Sequence, residues 1–126
     1  MADSKHSEKL SQGLSVWNQW RSEGIKKPNL AGIQLANRDL SGIDLRKTDL
    51  ANADLSGTNL NGADLSGANL NGATLARVSL SKAKLCEASL ESADLFAADL
   101  NGADLSRADL SNADLAKPDL VEADLS

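Results

Sequence analysis

The side chains best suited to chemistry in this sequence are carboxylates that recur at five-residue intervals. Aspartate immediately precedes a leucine at twelve positions, among them Asp54, Asp64 and Asp104. Two carboxylates can act as general acid and base when burial or a neighbouring base separates their pKa values. Regular spacing on a polar surface provides neither condition. We therefore interpret the aspartates as a feature of the repeat and predict that the chain is not an enzyme.

Other reactive residue types occur singly. His6 lies in a polar start that we expect to be frayed, where a metal or catalytic role is not expected. Cys86 falls at an outward corner of the repeat, and no histidine lies in the repeat region, so we interpret it as a surface thiol. The phosphate-binding pattern GxxxxGK[ST] is absent. The sequence therefore predicts no catalytic, cofactor-binding or metal-binding residue.

The element that positions these groups is a strict leucine period. Leucine occupies every fifth residue from Leu30 to Leu125, twenty times without a substitution. In a helix, leucines five apart would step about 140° around the axis, and in a strand they would alternate between faces. A chain that turns once every five residues can bury all of them. Gly or Asn often stands two residues after the leucine, as at Gly32 and Asn37, and tolerates the positive φ of a tight turn.

The tracts ADLSG, ANLNG and ADLSN resemble the pentapeptide-repeat family, whose pattern is A-(D/N)-L-x-x. The resemblance covers about four-fifths of the chain. It implies an all-β solenoid, a right-handed quadrilateral β-helix with four pentapeptides in each coil and the leucines inside. We expect this domain to span residues 26–126 as about five coils, starting at residues 26, 46, 66, 86 and 106.

Charge placement supports a four-sided coil. Residues twenty apart then become stacking neighbours, roughly 4.8 Å away. Lys84, the only base among the residues that precede the repeat leucines, falls between Asp64 and Asp104. Opposite charges in register are favourable, whereas stacked like charges are not.

Residues 1–25 differ in pattern from the repeats, and we assign them to a tail and a capping helix. We predict one helix near residues 7–23, with Gly13 in its middle and Gly24 as its stop. The tract VWNQWR resembles the helical cap that precedes the repeats in some bacterial members. Its apolar stripe should cover the open end of the first coil, and the alternative is a free helix on a membrane surface. The stripe consists of Leu10, Leu14 and Trp17.

Arg38 occupies an inward position that is small or apolar in other repeats. An unpaired guanidinium cannot be buried. We expect Arg38 to lean outward at the capped end, or to pair with a helix acid such as Glu23.

Bulk properties exclude several classes of protein. The net charge is −5, with +2 on residues 1–29 and −7 on residues 30–126, so binding to nucleic acid or an anionic membrane is not expected. No apolar run approaches the ~20 residues of a membrane span, and the start lacks a signal peptide's apolar region. One cysteine excludes an internal disulfide. A cytoplasmic location fits best.

Two surface clusters are candidate protein contacts. The first cluster would place four bases on one corner, either to receive an acidic partner or to neutralise Asp44 and Asp49. The second would place an exposed phenylalanine between two bases, although single exposed apolar residues are common. The first cluster consists of Lys26, Lys27, Arg46 and Lys47, and the second of Arg77, Phe96 and Lys117.

The sequence favours a non-enzymatic protein-interaction or scaffold module whose partner it does not identify. The alternative is a DNA mimic that acts on DNA gyrase or another DNA-binding protein, as some family members do. A duplex segment of about 24 Å, the expected length of five coils, carries about 14 phosphate charges, compared with −7 here. We also expect end-to-end homodimers through an uncapped C-terminal coil, because unpaired edges favour association.

Overall fold

The computed structural model describes residues 1–24 and 27–126. Two short helices come first, α1 at Ser4–Ser11 and α2 at Leu14–Ser22. The repeats follow, and among the described residues they contain no further helix. None of the described helices has the length and apolar character needed to cross a membrane.

The prediction of one helix near residues 7–23 is wrong, because Gly13 divides the segment. Gly13 has φ 109° and ψ 165°, a conformation that glycine adopts far more easily than other residues. The first helix also begins earlier than predicted. Its N-cap is Asp3, whose side chain accepts a hydrogen bond from the backbone nitrogen of Lys5 at 2.8 Å. Gly24 follows the end of α2, as expected.

The repeats stack with a register of twenty residues. Sixteen parallel bridges among the described residues join positions twenty apart, such as Asn29 with Asp49 and Asp49 with Asn69. The register agrees with the prediction of four pentapeptides in each turn of the chain. Each bridge is isolated, because a turn or a bend follows each leucine from Leu30 to Leu120 and the described residues form no continuous strand. We call the stretches starting at residues 27, 46, 66, 86 and 106 layers one to five.

A left-handed backbone residue lies at every corner. The residue two after each leucine has a positive φ from Gly32 to Glu122, whatever its type. Seven of these corner residues are glycine, but Lys47 and Arg77 adopt the same conformation at φ 55° and 57°. The repeat therefore imposes the turn even where the side chain opposes it.

The core is a column of leucines flanked by small residues. Each leucine from Leu30 to Leu105 is at most 5% exposed, and the residue two before it is buried in most repeats, usually as alanine. Both inward positions predicted from the repeat are therefore confirmed in layers two to four. Burial weakens in layer five, where Leu125 is 56% exposed.

Candidate functional site

The aspartates of the repeat accept hydrogen bonds from the backbone. Asp54 Oδ1 accepts hydrogen bonds from the backbone nitrogen of Ser56 at 3.0 Å and from its hydroxyl at 2.6 Å. Asp104 makes the same two bonds to Ser106. The serine hydroxyl and then the serine backbone N–H lower the pKa of each carboxyl. These groups stabilise turns and stay ionised, so they are poorly suited to general acid catalysis.

The two helices supply hydrogen-bond partners to one side of layer one. Trp17 is fully buried, and its indole Nε1–H donates to the carbonyl of Asp44 at 2.7 Å. The Arg21 guanidinium donates to the same carbonyl at 3.0 Å and to the carbonyl of Arg46 at 2.6 Å. The Asn18 amide oxygen accepts from the Asp44 nitrogen at 2.9 Å. The cap thus pairs backbone groups that no preceding layer could pair.

The charges around Asp44 are closely coupled. Burial lowers the pKa of Arg21, although the Asp44 charge opposes this. Burial also raises the pKa of Asp44, but hydrogen bonds from Arg46 and the Arg21 charge outweigh it, so the pKa is lowered overall. Arg46 binds both carboxylate oxygens, at 2.9 and 2.7 Å.

A second set of cap contacts lies at Asn29. The Asp3 backbone N–H donates to the Asn29 carbonyl at 2.9 Å, and His6 Nδ1 accepts from the Asn29 N–H at 2.9 Å. The expectation of a frayed start is therefore wrong. His6 also packs against Trp20, with ring centroids 5.3 Å apart. No sequence pattern signals this role, because the partner of His6 is a backbone group 23 residues away.

The stretch of layer one between Asn29 and Asp44 lacks such contacts with the cap. Among the described residues, the backbone N–H groups of Gln34 and Asp39 donate no hydrogen bond. A groove of about 280 Å³ lies beside Asp39, between the helices and layer one. Arg38 lines this groove and is exposed, as predicted, and no ion pair with Glu23 is found among the described residues. Four leucines complete the apolar part of the lining: Leu10, Leu14, Leu35 and Leu40.

The predicted four-base corner is only partly assembled. Lys26 lies outside the described residues. Lys27 and Lys47 line one groove of about 580 Å³ together with Glu87. Arg46 is bound to Asp44, which is the neutralising alternative raised by the sequence.

The predicted cluster on the other corner does assemble. Arg77 Cζ lies 5.4 Å from the ring centroid of Phe96, and Lys117 Nζ lies 5.9 Å from it. Both distances are in the range of cation–π interactions. The ring is half-buried rather than fully exposed. We call Arg77, Phe96 and Lys117 the Phe96 cluster.

The remaining reactive groups form no recognisable centre. No set of three or more His, Cys, Asp or Glu residues within 1–24 and 27–126 is arranged to hold a metal ion. Cys86 is half-buried, and its thiol donates to the Ser66 hydroxyl oxygen at 3.1 Å.

In layer five, the N–H groups of Leu110, Leu115 and Leu120 have no partner in the described part of the chain. The end-to-end homodimer stays a prediction.

Comparison with protein families matches the family model for pentapeptide repeats over residues 29–67, 54–91, 63–100 and 93–126, in eight copies. The chain belongs to the pentapeptide repeat family. No curated protein matches it.

Solved structures of several pentapeptide repeat proteins resemble the chain. HetL, involved in heterocyst differentiation regulation in the cyanobacterium Nostoc sp. strain PCC 7120, is 36% identical, with 75% of this chain and 50% of HetL covered and a TM-score of 0.41. The protein alr5209 from Nostoc PCC 7120 is 27% identical, with 90% and 95% covered and a TM-score of 0.38. QnrB1, a plasmid-mediated fluoroquinolone resistance protein, is 22% identical, with 78% and 57% covered and a TM-score of 0.40. This pentapeptide repeat chain therefore spans about half the length of HetL.

Proposed function

We propose that the chain is a non-enzymatic protein-interaction module that acts in the cytoplasm. In this proposal a right-handed quadrilateral β-helix, the fold implied by the family resemblance, holds the Phe96 cluster against an acidic protein partner. The observation that carries the proposal is the position of two cations against one aromatic ring, with Arg77 Cζ at 5.4 Å and Lys117 Nζ at 5.9 Å. Aromatic residues and arginine are enriched at protein interfaces.

The backbone beneath the Phe96 cluster is fixed by the stacking of layers three to five. The Arg77 N–H donates to the Phe96 carbonyl at 2.7 Å, and the Phe96 N–H donates to Asp94 Oδ1 at 3.0 Å. The carboxylate of Asp94 is thereby held against the backbone, while the two cations lie against the Phe96 ring. A surface that is ordered before binding loses less conformational entropy when the complex forms.

The charge distribution gives less support to DNA mimicry. Acids lie on successive sides of each layer, for instance Asp94, Asp99 and Asp104, rather than along one continuous stripe. Lys84 also interrupts the column between Asp64 and Asp104. We expect an excess of the chain to leave supercoiling by DNA gyrase unchanged. Inhibition or protection of gyrase would contradict the proposal.

Affinity capture with matched variants tests the Phe96 cluster. The full chain, Phe96→Ala, and the control Arg107→Ala would be immobilised and exposed to extract from the source cell, and bound proteins would be quantified by mass spectrometry. Arg107 is exposed and, like Arg77, lies two residues after a leucine. We expect a specific partner to be lost only with Phe96→Ala. A partner that Phe96→Ala retains in full would contradict this contact surface, and turnover of a captured small molecule would contradict the non-enzymatic role.

A further inference from the structure

Layer one shows what an added chain would have to supply. Between layers, Asp54 donates its N–H to the carbonyl of Ile33 at 2.9 Å and accepts from the N–H of Leu35 at 2.8 Å. Each bridging residue is thus held by the two neighbours of a residue in the layer before it. Gln34 and Asp39 are bridging residues whose own preceding layer is missing, and their N–H groups donate no hydrogen bond within the described part of the chain. A passing strand could pair with either residue in the same way.

The cap leaves this stretch open while it pairs the edge on both sides. His6 and Asp3 bond to Asn29, and Trp17, Asn18 and Arg21 bond to Asp44. Gln34 and Asp39 lie between these two points, and both are exposed. The gap lies where Gly13 divides the two helices, and Gly13 lines the groove between the helices and layer one. An extended segment would therefore meet unpaired N–H groups at Gln34 and Asp39 on this stretch of the edge.

The lining of the groove indicates the chemistry of its occupant. Leu14 is half-buried and offers apolar contact, whereas Leu10, Leu35 and Leu40 are at most 7% exposed. The groove has a volume of about 280 Å³. That volume is below the range of about 300–1,000 Å³ typical of small-molecule sites, and it suits a side chain better than a cofactor. Arg38 has no ion pair among the described residues. The other charge of the lining, Asp39, already accepts the N–H of Ser41 at 3.1 Å.

We propose that this edge binds an extended peptide that carries an apolar side chain followed closely by a carboxylate. The peptide would lie parallel to residues 33–38 and flank Gln34, with one carbonyl accepting the Gln34 N–H. Its apolar side chain would pack against Leu14 in the groove, and its carboxylate would meet Arg38. This site is separate from the Phe96 cluster and does not depend on it.

A displayed library of random twelve-residue peptides, selected against the full chain, tests the proposal. Enriched peptides would be synthesised and titrated by fluorescence anisotropy against the full chain, Arg38→Glu, Arg107→Glu and Phe96→Ala. We expect selected peptides to share an apolar residue and a carboxylate, and Arg38→Glu to weaken binding about tenfold or more through charge repulsion. Arg107→Glu and Phe96→Ala should bind as the full chain does. Because Arg38 is exposed, its replacement should not disturb folding, which circular dichroism would verify.

Amide hydrogen exchange provides a second readout. A bound peptide should slow exchange at the Gln34 N–H, because that group would gain its missing acceptor. Three results would overturn the proposal. The first is that no peptide is enriched above an unrelated protein, and the second is that Arg38→Glu binds the selected peptides unchanged. The third is that protection arises at the Phe96 cluster and not at Gln34.

Discussion

The side-chain oxygen of Asn61 accepts a hydrogen bond from the backbone N–H of Ser81, one layer further along, at 3.0 Å. In most repeats this N–H, which follows the leucine, bonds to the aspartate or asparagine that precedes the leucine, as Ser56 does with Asp54. Ser79 occupies that position in the repeat of Ser81, and its hydroxyl also donates to Asn61. Asn61 thus replaces, from the neighbouring layer, the acceptor that its partner repeat lacks.

Removing that acceptor should destabilise the stack. We expect Asn61→Ala to lower the free energy of unfolding by about 1–2 kcal/mol, because the Ser81 N–H and the Ser79 hydroxyl both lose a partner. Adding Ser79→Asp to this variant should restore most of the loss, since an aspartate there can accept the Ser81 N–H within its own repeat. Urea unfolding of the two single variants and the double variant gives the coupling energy. Additive effects of the two substitutions would contradict the interpretation.

The positive φ at the corners leads to a prediction about stability that does not depend on side-chain packing. Gly62 has φ 68°, and a Cβ added there would meet no atom within 4 Å. We expect Gly62→Ala to cost about 1–2 kcal/mol through backbone strain alone. Ser92 occupies the equivalent corner position at φ 60°, so Ser92→Gly should instead raise the stability slightly. Equal stabilities in thermal unfolding for Gly62→Ala and the unchanged chain would show that the corners carry no such strain.

Stability should fall in acid because of the aspartates that accept hydrogen bonds within the repeats. The hydroxyl and then the N–H of Ser106 lower the pKa of Asp104, and Ser56 acts in the same way on Asp54. Since the folded pKa lies below the unfolded value of 3.8, the folded state binds fewer protons than the unfolded state as the pH approaches that value. The contribution is therefore complete above the unfolded pKa and is lost as the pH falls through the folded pKa.

Urea unfolding between about pH 7 and pH 2 measures this dependence. The matched variant is Asp54→Asn with Asp104→Asn, because asparagine keeps the accepting oxygen and does not titrate. We expect a shallower loss of stability in acid for this variant than for the unchanged chain. Identical slopes would mean that these two carboxylates do not contribute to the acid dependence.

The sequence predicted the repeat region well because each inward residue has one environment repeated many times. The leucine period and the positive φ two residues later depend on local geometry, so five residues were enough to infer them. The role of Asp54 was missed, since the pattern shows that an acid is preferred there but not which N–H it accepts. To predict that Asn61 accepts the N–H of Ser81, one also needs to know that residues twenty apart stack on each other.

The cap was harder to predict because its contacts occur once. Gly13 was seen in the sequence, but its effect depends on whether layer one favours a continuous helix or a broken one. Arg21 and His6 bind backbone groups more than twenty residues away, and no periodic signal marks such pairs. Arg38 was recognised because it departs from the repeat, which is the kind of irregularity that a strict pattern makes visible.

The two arginines that share Asp44 should differ in their contribution to stability. Arg21 is 5% exposed and donates to two backbone carbonyls and to the Thr48 hydroxyl, whereas the Arg46 side chain is 52% exposed. We expect Arg21→Ala to cost about 3 kcal/mol, because it leaves buried acceptors without donors. Arg46→Ala should cost about 0–1 kcal/mol, since solvent screens an exposed ion pair.

Urea unfolding measures both losses, and hydrogen exchange shows where they act. With Arg21→Ala, exchange at the N–H of Trp17 should accelerate before global unfolding, because the cap loses its bonds to Asp44 and Arg46 while the leucine column stays intact. With Arg46→Ala, exchange there should stay as slow as in the unchanged chain. If both substitutions cost the same, the charge of Asp44 rather than the unpaired carbonyls would govern the attachment of the cap.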